Sequence, residues 1–167
     1  DYIIKLEKFH QTWLCKNKVF IAKFKKLCYH SQTKKEIIMT DIDSKKLACV
    51  IARTLDEKLG KDITILNISN VSSLADYFVI VTGDSTPQVK ALMNNTKERI
   101  KELFSRSPVR MENDMKNRWN LLDYGDVVVH ILHKEERETY AIEKFWSHAF
   151  SIPEAEWKEL SEEYKTF

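Results

Sequence analysis

Five consecutive apolar residues, Tyr77-Phe-Val-Ile-Val81, sit in the middle of the chain with no polar side chain among them. A strand with one wet face alternates apolar and polar residues. An uninterrupted run therefore predicts a strand covered on both faces, and a chain containing one must supply layers above and below a sheet. The residues around it read as that supply. Asp62-Ile-Thr-Ile-Leu-Asn-Ile68 alternates and is β-branched, as strands are. Ser69 to Ala75 reads as a turn or short helical piece. Trp119 to Tyr124 and Asp126 to Leu132 read as two strands joined tightly around Gly125, after a short extended piece at Pro108–Met111.

Helical periodicity brackets these strands. Leu47, Val50, Ile51, Thr54, Leu55 and Leu59 form one stripe, with Asp43 as N-cap and Gly60 as the C-terminal stop. A second helix runs from Ser85 to about Phe104 with Val89, Leu92, Met93, Thr96, Ile100 and Leu103 inward. Ser85 and Gln88 fit a capping box, and Pro87 is tolerated in a first turn. A third spans roughly Glu135 to Ala149, burying Ile142, Phe145 and Trp146. Ser151 and Glu154 would cap a short terminal helix carrying Trp157, Leu160 and Tyr164. The order is α-β-β-α-β-β-β-α, with connections too short for an all-parallel sheet. The expected fold is α/β, a mixed central sheet of about five strands flanked by helices.

Charge divides the chain. Residues 1–40 carry nine Lys, no Arg and three acids, a net +6, whereas the remainder carries −4. Tyr2, Leu6, Phe9, Trp13, Phe20, Phe24 and Leu27 recur at helical spacing with lysines off the stripe, so this segment reads as a basic amphipathic helix and linker. Residues 1–30 are suited to a weak RNA or membrane contact, to an organellar presequence, or to docking on the protein's own body. The domain division is 1–40 extension, 41–152 main domain, 153–167 terminal helix or tail. The chain starts at Asp1, and Met39 is a candidate start of the core protein. Cys15, Cys28 and Cys49 form no C-x-x-C pair and read as reduced intracellular thiols. No apolar run approaches a membrane span.

Catalytic signals are weak. His130 and His133 lie three apart on a strand, where alternate side chains face opposite ways, so a shared metal is disfavoured. Asp123 and Asp126 flank a tight turn, and Gly83-Asp-Ser85 opens a helix. Together they suggest a metal-dependent nucleotidyltransferase, the alternative function, but that site needs paired acids a few residues beyond its Gly-Ser, and the spacing is absent. Trp119, Leu121, Leu122 and Tyr124 along one strand form an aromatic and apolar cluster of the kind found in binding hot spots. The same residues also suit a core cap at a sheet edge.

Three blocks carry a resemblance: Ser72-Ser-Leu-Ala-Asp-Tyr-Phe-Val-Ile-Val-Thr-Gly-Asp-Ser85, Trp119-Asn-Leu-Leu-Asp-Tyr-Gly-Asp-Val-Val-Val-His-Ile131 and Tyr140-Ala-Ile-Glu-Lys-Phe-Trp146. In order and spacing they closely resemble the signature blocks of the Iojap-like ribosomal silencing factors, over about residues 44–150. The resemblance implies a nucleotidyltransferase-like fold without catalytic acids, no cofactor and no enzymatic activity. It implies binding to the large ribosomal subunit through large-subunit ribosomal protein fourteen, blocking subunit joining and repressing translation, with large-subunit assembly as a related role. The partner-binding positions it implies are Trp119, Leu121, Leu122, Asp123 and Tyr124; Asn120 stands where many relatives carry an apolar residue. Cytoplasm is the expected compartment, with mitochondrial matrix or plastid as the alternative, and a homodimer of the free factor is allowed.

Overall fold

The computed structural model describes residues 42–166. The basic helix, its linker, the RNA or membrane contact assigned to residues 1–30, Cys15, Cys28 and Met39 lie outside the described residues. The elements are α1 (Ser44–Glu57), β1 (Lys61–Asn67), β2 (Tyr77–Gly83), α2 (Thr86–Phe104), β3 (Arg110–Asn113), β4 (Trp119–Asp123), β5 (Val127–His133), α3 (Lys134–Tyr140), α4 (Ile142–Phe145), β6 (Phe150–Ile152) and α5 (Glu154–Leu160), followed by a 3-10 turn at Glu162–Tyr164.

The six strands form one mixed sheet in the order β3-β4-β5-β2-β1-β6. Only β2 and β5 run parallel; the other neighbours are antiparallel. Every residue of β2 is buried, as its unbroken apolar run requires. Register sorts the side chains. Ile152, Ile65, Val79, Val129 and Leu122 form one row across the sheet, on the face that packs under α1 and α2. Phe78, Val128 and Asp123 form a row on the opposite face, where Ile80, His130 and Leu121 make the next row. That second face is closed by the chain around α3 and α4, with Trp146 edge-on to Phe78 at 5.6 Å and Tyr140 against Trp119 at 4.9 Å.

Three local readings change. The α1 stop is a Schellman turn in which Leu59, not Gly60, takes the left-handed conformation, at φ 63°. The Leu59 N–H donates to Asp56 O at 2.9 Å and the Gly60 N–H to Leu55 O at 2.8 Å. Gly60 is needed for space: a Cβ there would sit 2.9 Å from Leu55 O and 2.6 Å from Val81 Cγ2.

The long helix expected over Glu135–Ala149 is broken. Ala141 adopts φ 41°, ending α3, and α4 restarts in a new direction. A continuous helix would keep one stripe inward; the break instead turns Ile142, only 1% exposed, into the sheet. Arg137 fastens the joint, donating from Nε to Glu143 at 2.7 Å and from Nη1 to Thr82 Oγ1 at 3.0 Å.

The third change is a sixth strand. Ser151 lies in β6 rather than capping α5, whose N-cap is Pro153. Three residues are too few for periodicity to register, and pairing with β1 decides their conformation. Half of the expected capping box of α2 forms: Ser85 Oγ accepts the Gln88 N–H at 3.4 Å, but Gln88 Oε1 reaches past the N-cap to accept the Asp84 N–H at 2.8 Å.

The last residues are part of the packing. Trp157 is 2% exposed in the core. Buried Arg53 donates from Nε to Ser161 Oγ at 2.9 Å, from Nη2 to Glu162 at 2.8 Å, and to the Lys158 carbonyl. Lys45 pairs with Glu156 at 2.7 Å.

Candidate partner-binding edge

β4 and the residue after it carry the five residues singled out in the sequence, and the structure divides them by the pleat. Leu122 and, just beyond the strand, Tyr124 belong to the core under the helices. Trp119, Leu121 and Asp123 lie on the opposite face. Four of the five are buried, Trp119 at 3%, Leu121 at 2%, Leu122 at 0% and Tyr124 at 3% exposure. Trp119 is packed between His130 (6.0 Å) and Tyr140 (4.9 Å). Burial raises the Tyr124 phenol pKa well above its usual value. Asp123 alone is half-buried.

β4 is not the sheet edge, because β3 covers it. Met111 pairs with Leu122 and Glu112 with Leu121 in an antiparallel hairpin. β3 is therefore the outermost strand on this side of the sheet, and its outer side presents backbone groups that no strand among the described residues satisfies. Three apolar side chains are exposed along it among polar neighbours: Val109 is 77% exposed, Met111 48% and Met115 100%. Sequence reasoning did not single out these three. A four-residue strand with two charged residues carries little pattern, and only the topology makes it an edge.

The acids at the β4–β5 turn have structural partners. Arg106 forms an ion pair with Asp126 and also donates to the Tyr124 carbonyl at 2.8 Å. Asp123 Oδ1 accepts the Gly125 N–H at 2.8 Å, fixing the turn at the φ 94° of Gly125. Burial pushes the Asp123 carboxyl pKa up, opposed by that N–H and by the Arg110 charge. Both carboxylates are thus committed to holding the turn.

The two histidines diverge as strand geometry requires. His130 is buried against Phe78 at 4.9 Å, whereas His133 accepts the Glu135 N–H at the start of α3. Among the described residues no group of three His, Cys, Asp or Glu converges on a metal-sized site. Burial raises the Cys49 thiol to about 11, so it is packing rather than a nucleophile. No helix among the described residues is long and apolar enough to cross a membrane.

Comparison with known proteins agrees with this architecture. The ribosomal silencing factor RsfS of Bacillus subtilis is 38% identical over 108 residues, covering 65% of this chain and 91% of its own length. The chloroplastic protein Iojap of Zea mays is 30% identical over 112 residues, covering 67% of this chain and 48% of the relative. The mouse mitochondrial assembly of ribosomal large subunit protein 1 is 31% identical over 100 residues, 59% of this chain and 44% of that protein. A crystal structure of a Chromobacterium violaceum protein superposes with a TM-score of 0.61 at 35% identity, over 64% of this chain and 88% of the other. The family model described as ribosomal silencing factor during starvation matches residues 41–166, and the chain belongs to that family.

Proposed function

We propose that this chain binds the large ribosomal subunit through large-subunit ribosomal protein fourteen and sterically blocks subunit joining, repressing translation without catalysing a reaction. The observation that carries this reading is the β3 edge, unpaired among the described residues and bordered by exposed Val109, Met111 and Met115. Such an edge suits a protein partner that adds main-chain hydrogen bonds and apolar contacts. In this reading Trp119 and Leu121 on one face of β4, and Leu122 and Tyr124 on the other, hold the edge rigid from behind, and half-buried Asp123 lies at its rim. The net charge of −4 beyond residue 40 favours a basic ribosomal protein as partner. Commitment of Asp123 and Asp126 to the turn supports a role without metal chemistry.

Competition for a surface is sufficient as mechanism. At a hundred times its dissociation constant the factor leaves about one per cent of subunits free. The same grip serves large-subunit assembly, the role in the mouse relative's name. The compartment is whichever holds the ribosome: cytoplasm, mitochondrial matrix or plastid.

Sedimentation with separated ribosomal subunits tests the proposal. The full chain should travel with the large subunit and slow its joining to the small one. Val109→Glu with Met111→Glu should abolish both effects without lowering the melting temperature. A chain that ignores large subunits overturns the role; a folded double variant that still binds overturns the surface.

A further inference from the structure

We infer that the flank of α2 turned away from α1 is a contact for RNA backbone, through Lys90, Lys97 and Lys101. This rests on the ribosomal reading above, and adds to the basic protein partner at the β3 edge a second partner that is anionic. Positions seven and four apart return to one side of a helix, so the three lysines line a single flank with Asn94 between them. At about 1.5 Å per residue they span about 16 Å, long enough to follow several phosphates. Lys90 and Lys101 are exposed and Lys97 half-buried.

The orientation of the flank follows from the opposite side of the same helix. There Gln88 Nε2 donates to Leu59 O at 2.9 Å, just past α1, and Arg99 Nη2 donates to Tyr164 O at 3.3 Å. Helix α2 packs over β4, β5 and β2, while α1 packs over β1, β2 and β5. The flank away from α1 therefore looks towards the β3 side of the sheet, the side of the proposed partner surface.

Charge pairing sets this flank apart. Most other described cations are answered by a carboxylate, among them Lys45–Glu156, Lys46–Glu163, Lys61–Asp84, Arg106–Asp126 and Lys158–Glu154. Among the described residues, Lys90, Lys97 and Lys101 take part in no ion pair. Nor do Lys58, Lys116, Lys134 and Lys144, but these are spread one to a segment. Of the acids of α2, Glu102 holds Arg99 at 3.3 Å towards the other flank, and Glu98, three residues before Lys101 on the adjoining outward face, takes part in no ion pair among the described residues. Ribosomal proteins are mostly basic and would be repelled by the lysines, whereas RNA offers closely spaced phosphates to mobile ammonium groups.

The test compares the full wild-type chain with Lys90→Gln/Lys97→Gln/Lys101→Gln and with the triple Lys→Arg variant. Binding to purified large subunits is measured between 50 and 200 mM salt, and melting temperatures are checked in parallel. Three lost phosphate contacts should flatten the slope of log affinity against log salt by about 2–3, so the wild-type advantage shrinks about 20–40-fold across that range. The Arg triple should match wild type, and all three chains should bind isolated ribosomal protein fourteen alike. Equal salt slopes for wild type and the Gln triple overturn the inference while leaving the ribosomal reading intact. A deficit that reappears with isolated protein fourteen assigns the lysines to protein and overturns the RNA contact. A wild-type chain that fails to bind subunits overturns both readings.

Discussion

Replacing Asn120 by valine should stabilise the protein, because the asparagine is a polar group in a site that gives it almost nothing to bond. Asn120 is fully buried in β4, opposite Ile131 of β5 and Asn113 of β3. Its Nδ2 reaches Asn117 Oδ1 only at 3.5 Å, and its Oδ1 meets no donor among the described residues. A buried acceptor left unmade costs about 1–3 kcal/mol, whereas a bond at the distance limit returns well under about 1 kcal/mol. Valine is close in size, β-branched, and suited to a pleated strand. Asn117 is half-exposed, so water can replace its lost partner. The net expectation is a gain of about 1–2 kcal/mol, or roughly 4–8 °C in melting temperature for a domain of this size. Urea unfolding of the full chain, read as a midpoint at unchanged m-value, measures it. A lower midpoint at the same m-value would refute the reasoning and show that the amide is satisfied in solution.

Three further outcomes follow from the same packing. Trp119→Ala should cost about 3–5 kcal/mol of stability, as for other large core aromatics; an unchanged melting curve would mean that Trp119 is not in the core. Ending the chain at Ile152 removes Trp157 and leaves buried Arg53 without Ser161, Glu162 and the Lys158 carbonyl, so destabilisation should exceed about 4 kcal/mol by thermal melting. Asp123 is expected to weaken the fold as pH rises. Its pKa is raised in the folded state, so the native protein holds the extra proton, and the stability this group allows is lost as pH climbs through the folded pKa. Asp123→Asn keeps the acceptor for Gly125, so its advantage over wild type should be largest at neutral pH and shrink on acidification; an advantage that grows on acidification contradicts the assignment.

The elements legible in the sequence are those whose signal is local. The apolar run of β2, the stripe and Ser85 N-cap of α2, and the paired strands around Gly125 are written in residues a few positions apart, where periodicity and turn chemistry act. The family likewise rests on contiguous blocks. Long-range packing decided the rest. Ala141 leaves the helical region although nothing in its neighbours stops a helix, because the break lets Ile142 and Trp146 cover the second face of the sheet. Phe150–Ile152 becomes a strand by pairing with β1, some eighty residues earlier in the chain. The same holds for the site. Sequence marked β4 as aromatic and apolar, but the helices over one face and the chain around α3 over the other bury those side chains, while β3 takes the edge beside them. Exposure depends on what the rest of the chain lays across a residue, and no spacing rule within a strand contains that information.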